Sequence, residues 1–325
     1  MVLAEAFRER IRMSDIAGDI SCSRLAAKFN SYEVILEPDE NKPNWWAGGP
    51  SVARGNDGEF YLAVRMREGD SPRGQRGYEV RILKSADGRK FSEILSIKRE
   101  QVQVVGFERP SLVVDPQTGK FRLYVCAPVD GYWWGIYKFD DVADLRELDL
   151  GSIRVVLPPT EAHEDVLPRR GYKDPFIFHA KGQWHMYVIG YDFVERTWHF
   201  TSEDGESWQS DARNPVLDNG GWHNFSTRPA CVMPDGVGWL FVYEGSYSNW
   251  FDPGYNIATG LGYTLDLSHI TDLSPAEPIL KSTTPGSYHT WRYSHWLRVG
   301  GQIYIYAEAA RPNRTNEVRL FVLDA

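Results

Sequence analysis

The chain has 325 residues, 42% hydrophobic and 25% charged, which is ordinary globular material with ample apolar content for a core. A formal net charge of −8 argues against nucleic acid as the main partner, because such binders present a basic face. The N-terminal stretch lacks the continuous apolar segment of a secretion signal, and no run approaches the ~18 apolar residues of a membrane span, so no membrane partner and a cytoplasmic location are expected.

Residues 1–30 read as a short, peripheral helical extension, and 31–325 as one domain. The extended segment SYEVILEPD (31–39) comes first. PSVA then follows Gly49 and leads to DGEFYLAV (57–64), and SADGRKF (85–91) places Asp-Gly between extended segments, a strong hairpin signal. PSLVV follows Arg109 and leads to TGKFRLYV (118–125). PFIF follows Asp174 and leads to KGQWHMYV (181–188), with a second Asp-Gly hairpin in SEDGESW (202–208). PACVM follows Arg228 and leads to the looser MPDGVGWLFVYE. SHWLRV follows Tyr293 and leads to GGQIYIYA (300–307), and EVRLFVLDA (317–325) ends the chain. Each pair is an apolar run, a glycine turn and an alternating strand.

The prolines that open four of these units fall at 50, 110, 175 and 229. Such spacing, with two clear strands per unit, predicts an all-β fold, a five-bladed β-propeller with the short N-terminal helical extension. A propeller must close its ring, so either the 31–39 segment or the C-terminal strand is expected to complete a terminal blade. Three cysteines, Cys22, Cys126 and Cys231, match no zinc spacing and suit a reducing compartment.

In an antiparallel hairpin the start of strand one lies beside the end of strand two. The residue before each opening proline is Gly49, Arg109, Asp174 or Arg228, with Tyr293 in the fifth unit. The second strands end on Arg65, Cys126, Ile189, Glu244 and Glu308. With Glu108, Lys173, Arg292 and His295, these residues predict a ring of charges around one axis. Taken alone, Asp174 before Pro175 is as good a turn cap as a catalytic carboxylate. Glu108 is equally a structural ion pair, Glu244 and Glu308 strand-end charges, and His295 a core histidine. Aromatic residues reach 14%, and Trp46, Trp133, Trp134 and Trp250 sit near the expected loops, where an indole either stacks on sugar or packs between blades.

Taken together, these residues resemble the five-bladed propeller carbohydrate enzymes, namely glycoside hydrolase families 43, 32, 62, 68 and 117 and the mannoside phosphorylases of family 130. YKDPFIF resembles the Asp-Pro strand opening of families 43 and 32, and FERPSLV with TGKFRLYV resembles the second-blade opening of family 130. GVGWLFVYEGSYSNWFDPGYNIATGLGYTLDLSHI resembles that family's fourth blade. The resemblance spans roughly 31–325, with two departures: Gly49 and Arg109 stand where family 43 places aspartates. It also implies that His295 supports a central hydrated cation, a Ca²⁺, with no cofactor otherwise required.

Glycosidic cleavage needs one carboxylic acid and a second carboxylate. Asp174 and Glu244 are the expected working pair, with Glu108 beside them. Arg65, Arg109, Arg228, Arg292, Trp46 and Glu308 are expected to bind substrate. The function expected is an exo-acting, inverting glycoside hydrolase of small oligosaccharides. The alternatives are a phosphorylase, whose phosphate Arg65, Arg109 and Arg228 would hold, and a non-catalytic glycan-binding or protein-binding propeller.

Overall fold

The computed structural model describes residues 29–72, 74–160 and 169–324. The expected helical extension therefore lies outside the described residues, apart from the turn at 29–30. The described fold is all-β. Its strands in chain order are β1 (Glu33–Leu36), β2 (Trp46–Arg54), β3 (Phe60–Arg67), β4 (Gly77–Ser85), β5 (Ser92–Lys98), β6 (Ser111–Val114), β7 (Phe121–Pro128), β8 (Trp134–Lys138), β9 (Arg154–Leu157) and β10 (Gly171–Ala180). There follow β11 (Gln183–Tyr191), β12 (Glu195–Ser202), β13 (Gln209–Ser210), β14 (Ser226–Asp235), β15 (Gly238–Ser246), β16 (Ala258–Thr264), β17 (Thr271–Asp272), β18 (Trp291–Val299), β19 (Gln302–Ala310) and β20 (Asn316–Asp324).

Pairing sorts them into four-stranded antiparallel units: β2–β5, β6–β9, β10–β13, β14–β17, and β18–β20 with β1. Single parallel pairings, Trp46 with Asn316 and Glu195 with Ser226, link neighbouring units. The first strands touch in cyclic order, β2 to β6, β10, β14, β18 and back to β2. Both chain ends take part in closure: the C-terminal segment is the third strand of the last unit and the 31–39 segment supplies the fourth.

The core lies between sheets. One apolar cluster joins Ala63 and Ile82 of the first unit to Leu123 and Val125 of the second, and another joins Met186 of the third to Ile136 of the second. Tyr304 and Tyr306 of the last unit pack with Leu62 and Val64 of the first. The second-strand tyrosines also tie units together, and here the hairpin glycines matter. Tyr124 donates to the Gly205 carbonyl (2.9 Å) and Tyr306 to the Gly88 carbonyl (2.6 Å), each in the Asp-Gly hairpin of the following unit.

The first strands bulge near their starts, between Gly48 and Ser51, Lys173 and Phe176, Pro229 and Cys231, and Arg292 and His295. Gly49, Asp174 and Tyr293 occupy this bulge with φ of 60°, 57° and 56°. That left-handed region is natural for glycine and tolerated by aspartate, but for a bulky tyrosine it is a true outlier. The register also corrects the fourth unit. Arg228 pairs with Glu244 as Gly48 pairs with Arg65, Lys173 with Ile189 and Arg292 with Glu308. Arg228 is thus equivalent to Lys173 and Arg292, and not to Arg109 and Asp174, because its proline comes one residue early in the bulge.

Candidate active site

The charged residues converge in two layers. The deeper layer is almost fully buried. Glu308, fully buried, accepts from Arg292 Nε (2.9 Å), Asn316 Nδ2 (2.6 Å), Arg65 Nη2 (3.1 Å) and the Gly49 N–H (3.0 Å). Burial alone would raise its carboxyl, but Arg292 and Arg65 hold it below the usual range. Gly48 is required beside it, since an added Cβ would stand 1.8 Å from Glu308 Oε2. Three residues expected to bind substrate are thus buried and ion-paired. Arg65, Arg292 and Glu308 form a buried ion network, which Asn316 and the Gly49 N–H complete at Glu308 and Glu108 extends at Arg65.

Asp174 is equally buried. Its Oδ1 accepts the Arg109 N–H and its Oδ2 the Tyr293 hydroxyl, both at 3.0 Å. Burial and the Glu108 charge push this carboxyl up, with Lys173 and the Arg109 N–H opposing them. Glu244 is fully buried too. Its Oε1 accepts the Ser294 N–H (2.9 Å), its Oε2 has no partner, and burial pushes it up to about 7. Arg109 lies at this depth with all three guanidinium nitrogens unpartnered, its stem packed against Gly49 and its charge near Phe176 and Tyr293 (5.8 Å to each ring).

The upper layer reaches solvent. Glu108, 21% exposed, receives Arg65 Nη1. Burial would raise it, but Arg65, Arg67, Lys173 and Arg292 bring it below the glutamate range. Lys173, 19% exposed, pairs with Glu195 (2.6 Å), which also receives Arg228 Nε. Against the cost of burial, Arg228 and Lys173 hold Glu195 down to about 2. Glu195 went unrecognised in the sequence because it opens a third strand and has no counterpart in the first-strand and second-strand frame. Its signal is the short YDFVE turn, which returns the chain to the face where Lys173 starts.

Trp46, expected to bind substrate, packs within the protein. It is 1% exposed, its indole donates to the Arg314 carbonyl (3.1 Å), and its face supports Arg67 at 3.7 Å and Arg292 at 4.8 Å. Of the three arginines expected to hold phosphate, Arg65 and Arg228 are paired with carboxylates, and Arg109 lies at the depth of Asp174. His295 accepts the Val52 N–H at Nδ1 (3.2 Å), and burial with nearby Arg109 pushes it down to about 3. Among the described residues no cluster of three or more His, Cys, Asp or Glu could hold a metal. The centre, built around a cationic guanidinium, does not fit Ca²⁺. A cavity of about 550 Å³ lined by Trp250, Phe251, Lys281 and His289 includes none of these residues.

No family model matches the chain, and no curated protein matches it by sequence. Solved structures share its fold. A complex of BT0996 with RGII has a TM-score of 0.69 at 12% identity, over 94% of this protein and 96% of that one. The β-1,2-mannobiose phosphorylase of Listeria innocua, in complex with β-1,2-mannobiose, gives 0.62 at 14%, over 89% and 94%. An α-L-arabinofuranosidase from Lactobacillus brevis gives 0.61 at 12%, over 90% and 92%.

Proposed function

We propose that the five units are the blades of a propeller glycosidase, and that the enzyme hydrolyses a glycosidic bond of a small oligosaccharide at the axial opening. The carrying observation is the pair Glu108 and Asp174. One is solvent-facing and held ionised by cations, while the other lies beneath it with a raised proton affinity. Carboxyl groups driven apart in this way mark the base and the acid of a cleavage site. Glu108, as the carboxylate, takes a proton from the attacking water, and Asp174 gives its proton to the leaving oxygen, so the sugar hydroxyl departs neutral.

Glu244 is reassigned below the site, where it faces Arg109. Hydrolysis is favoured over phosphorolysis because two of the three arginines expected to hold phosphate, Arg65 and Arg228, are paired with carboxylates. Exo-action and inversion remain part of the proposal, on the strength of the family resemblance, and proton NMR of the first-formed anomer reads the stereochemistry.

The test is a screen of disaccharides and aryl glycosides, with and without inorganic phosphate, followed by Asp174→Asn and Glu108→Gln on the best substrate. Each variant is expected to lower kcat by about 10²-fold or more. Cleavage that both variants leave intact overturns the site, and cleavage that needs phosphate overturns hydrolysis.

A further inference from the structure

Arg65 and Arg67 are two residues apart on β3 and so share a face of the sheet. Arg65 lies at the deep level, paired with Glu308 and Glu108. Arg67 lies nearer the opening, where the corresponding positions of the other second strands are Pro128, Tyr191, Ser246 and Ala310, none of them charged. Its guanidinium lies over Trp46 at 3.7 Å and beside Tyr255 at 5.6 Å, and Nη2 donates to the Tyr255 hydroxyl (3.3 Å). Nε is unpartnered, and no carboxylate lies within 4.0 Å of Arg67 among the described residues. Burial and Arg65 lower its pKa to about 10, which leaves it charged at neutral pH.

The surrounding charges do not balance. Arg65 and Arg292 share Glu308, Lys173 and Arg228 share Glu195, and Glu108 completes Arg65. Counting Arg67, that is five cations against three carboxylates. Arg109, Asp174 and Glu244 adjoin them, with Asp174 in the field of Glu108, Lys173 and Arg228, and burial raises both of these carboxyls, so cations still outnumber the ionised carboxylates. A cation as buried as Arg67, only 6% exposed, is costly unless an anion completes it, and this one sits in a chain of net charge −8. A guanidinium backed by the Trp46 ring, with Nη2 on the Tyr255 hydroxyl, keeps its remaining N–H groups for a planar oxyanion such as a carboxylate.

Resting on the hydrolase reading above, we propose that the substrate is an acidic glycan whose uronate carboxylate is received by Arg67, with Lys173 and Arg228 adding to the field. Inorganic phosphate is the other source of an oxyanion with this chemistry, and the experiment separates the two.

Calorimetric titrations compare glucuronate, galacturonate, mannuronate and guluronate with the matching hexoses and with inorganic phosphate, using the full chain. At least one uronate is expected to bind tenfold or more tighter than its hexose, and Arg67→Gln to remove that preference while Arg67→Lys restores part of it. Equal binding of uronates and hexoses, binding of phosphate alone, or a preference that survives Arg67→Gln overturns the proposal. Binding is read without turnover, so its outcome stands apart from that of the hydrolase test. If either variant fails to fold, the wild-type comparison of each uronate with its hexose still decides.

Discussion

Glu308→Gln separates a structural carboxylate from a substrate contact, because the amide keeps the shape and removes only the charge. In the native chain this carboxylate holds two guanidinium groups, with Arg292 Nε at 2.9 Å and Arg65 Nη2 at 3.1 Å, at a point with no exposure. Breaking a buried pair by removing one partner costs about 3–5 kcal/mol. At roughly 2 °C per kcal/mol for a domain of this size, Tm should fall by about 6–10 °C. The sign with pH follows from the depressed carboxyl. Its contribution is full above the unfolded value of about 4.3 and is lost as pH falls through the folded value. Melting curves of both proteins should therefore differ at pH 7 and converge on acidification below about pH 4. A Tm within 1 °C of wild type, accompanied by a raised KM, would refute the buried-network reading and return Glu308 to the substrate.

Gly48→Ala attacks the same network sterically, with a Cβ 1.8 Å from Glu308 Oε2, and its melting temperature should fall at least as far as that of Glu308→Gln. Glu244, raised to about 7 by burial, contributes stability that is present below the unfolded glutamate range and lost as pH rises through about 7. Wild type should lose on the order of 3 kcal/mol between about pH 4 and pH 8 relative to Glu244→Gln, and a parallel pair of Tm–pH curves would contradict this. Tyr293→Phe removes a donor from Asp174, so that carboxyl should rise further and the alkaline limb of kcat should move to higher pH. An unmoved limb means that Asp174 is not the acid.

The architecture was legible because each unit repeats one local instruction. Alternating bulky residues after a glycine turn make the second strand, and an Asp-Gly hairpin receives the tyrosine of the preceding unit. The second-strand ends were legible for the same reason: Arg65, Glu244 and Glu308 all pair with the residue before the bulge. Proline was a poorer ruler. It tolerates more than one place in a bulge, so Pro229 shifted Arg228 by one position and moved it from the axial ring to the level of Lys173 and Arg292.

Depth was the property hidden from the sequence, and depth decides chemistry here. A strand shows which side chains share a face, but not how far each lies from water, and the repeat frame therefore treated Arg65, Glu308 and Glu108 alike. The structure buries the first two fully and leaves Glu108 at 21% exposure. The bulge at Asp174 shows the same limit. Its φ of 57° is what a turn residue would adopt, yet its oxygens take the Arg109 N–H and the Tyr293 hydroxyl from two other units. Turn residue and axial carboxylate are one assignment, since the left-handed backbone turns the side chain inward to where those donors lie.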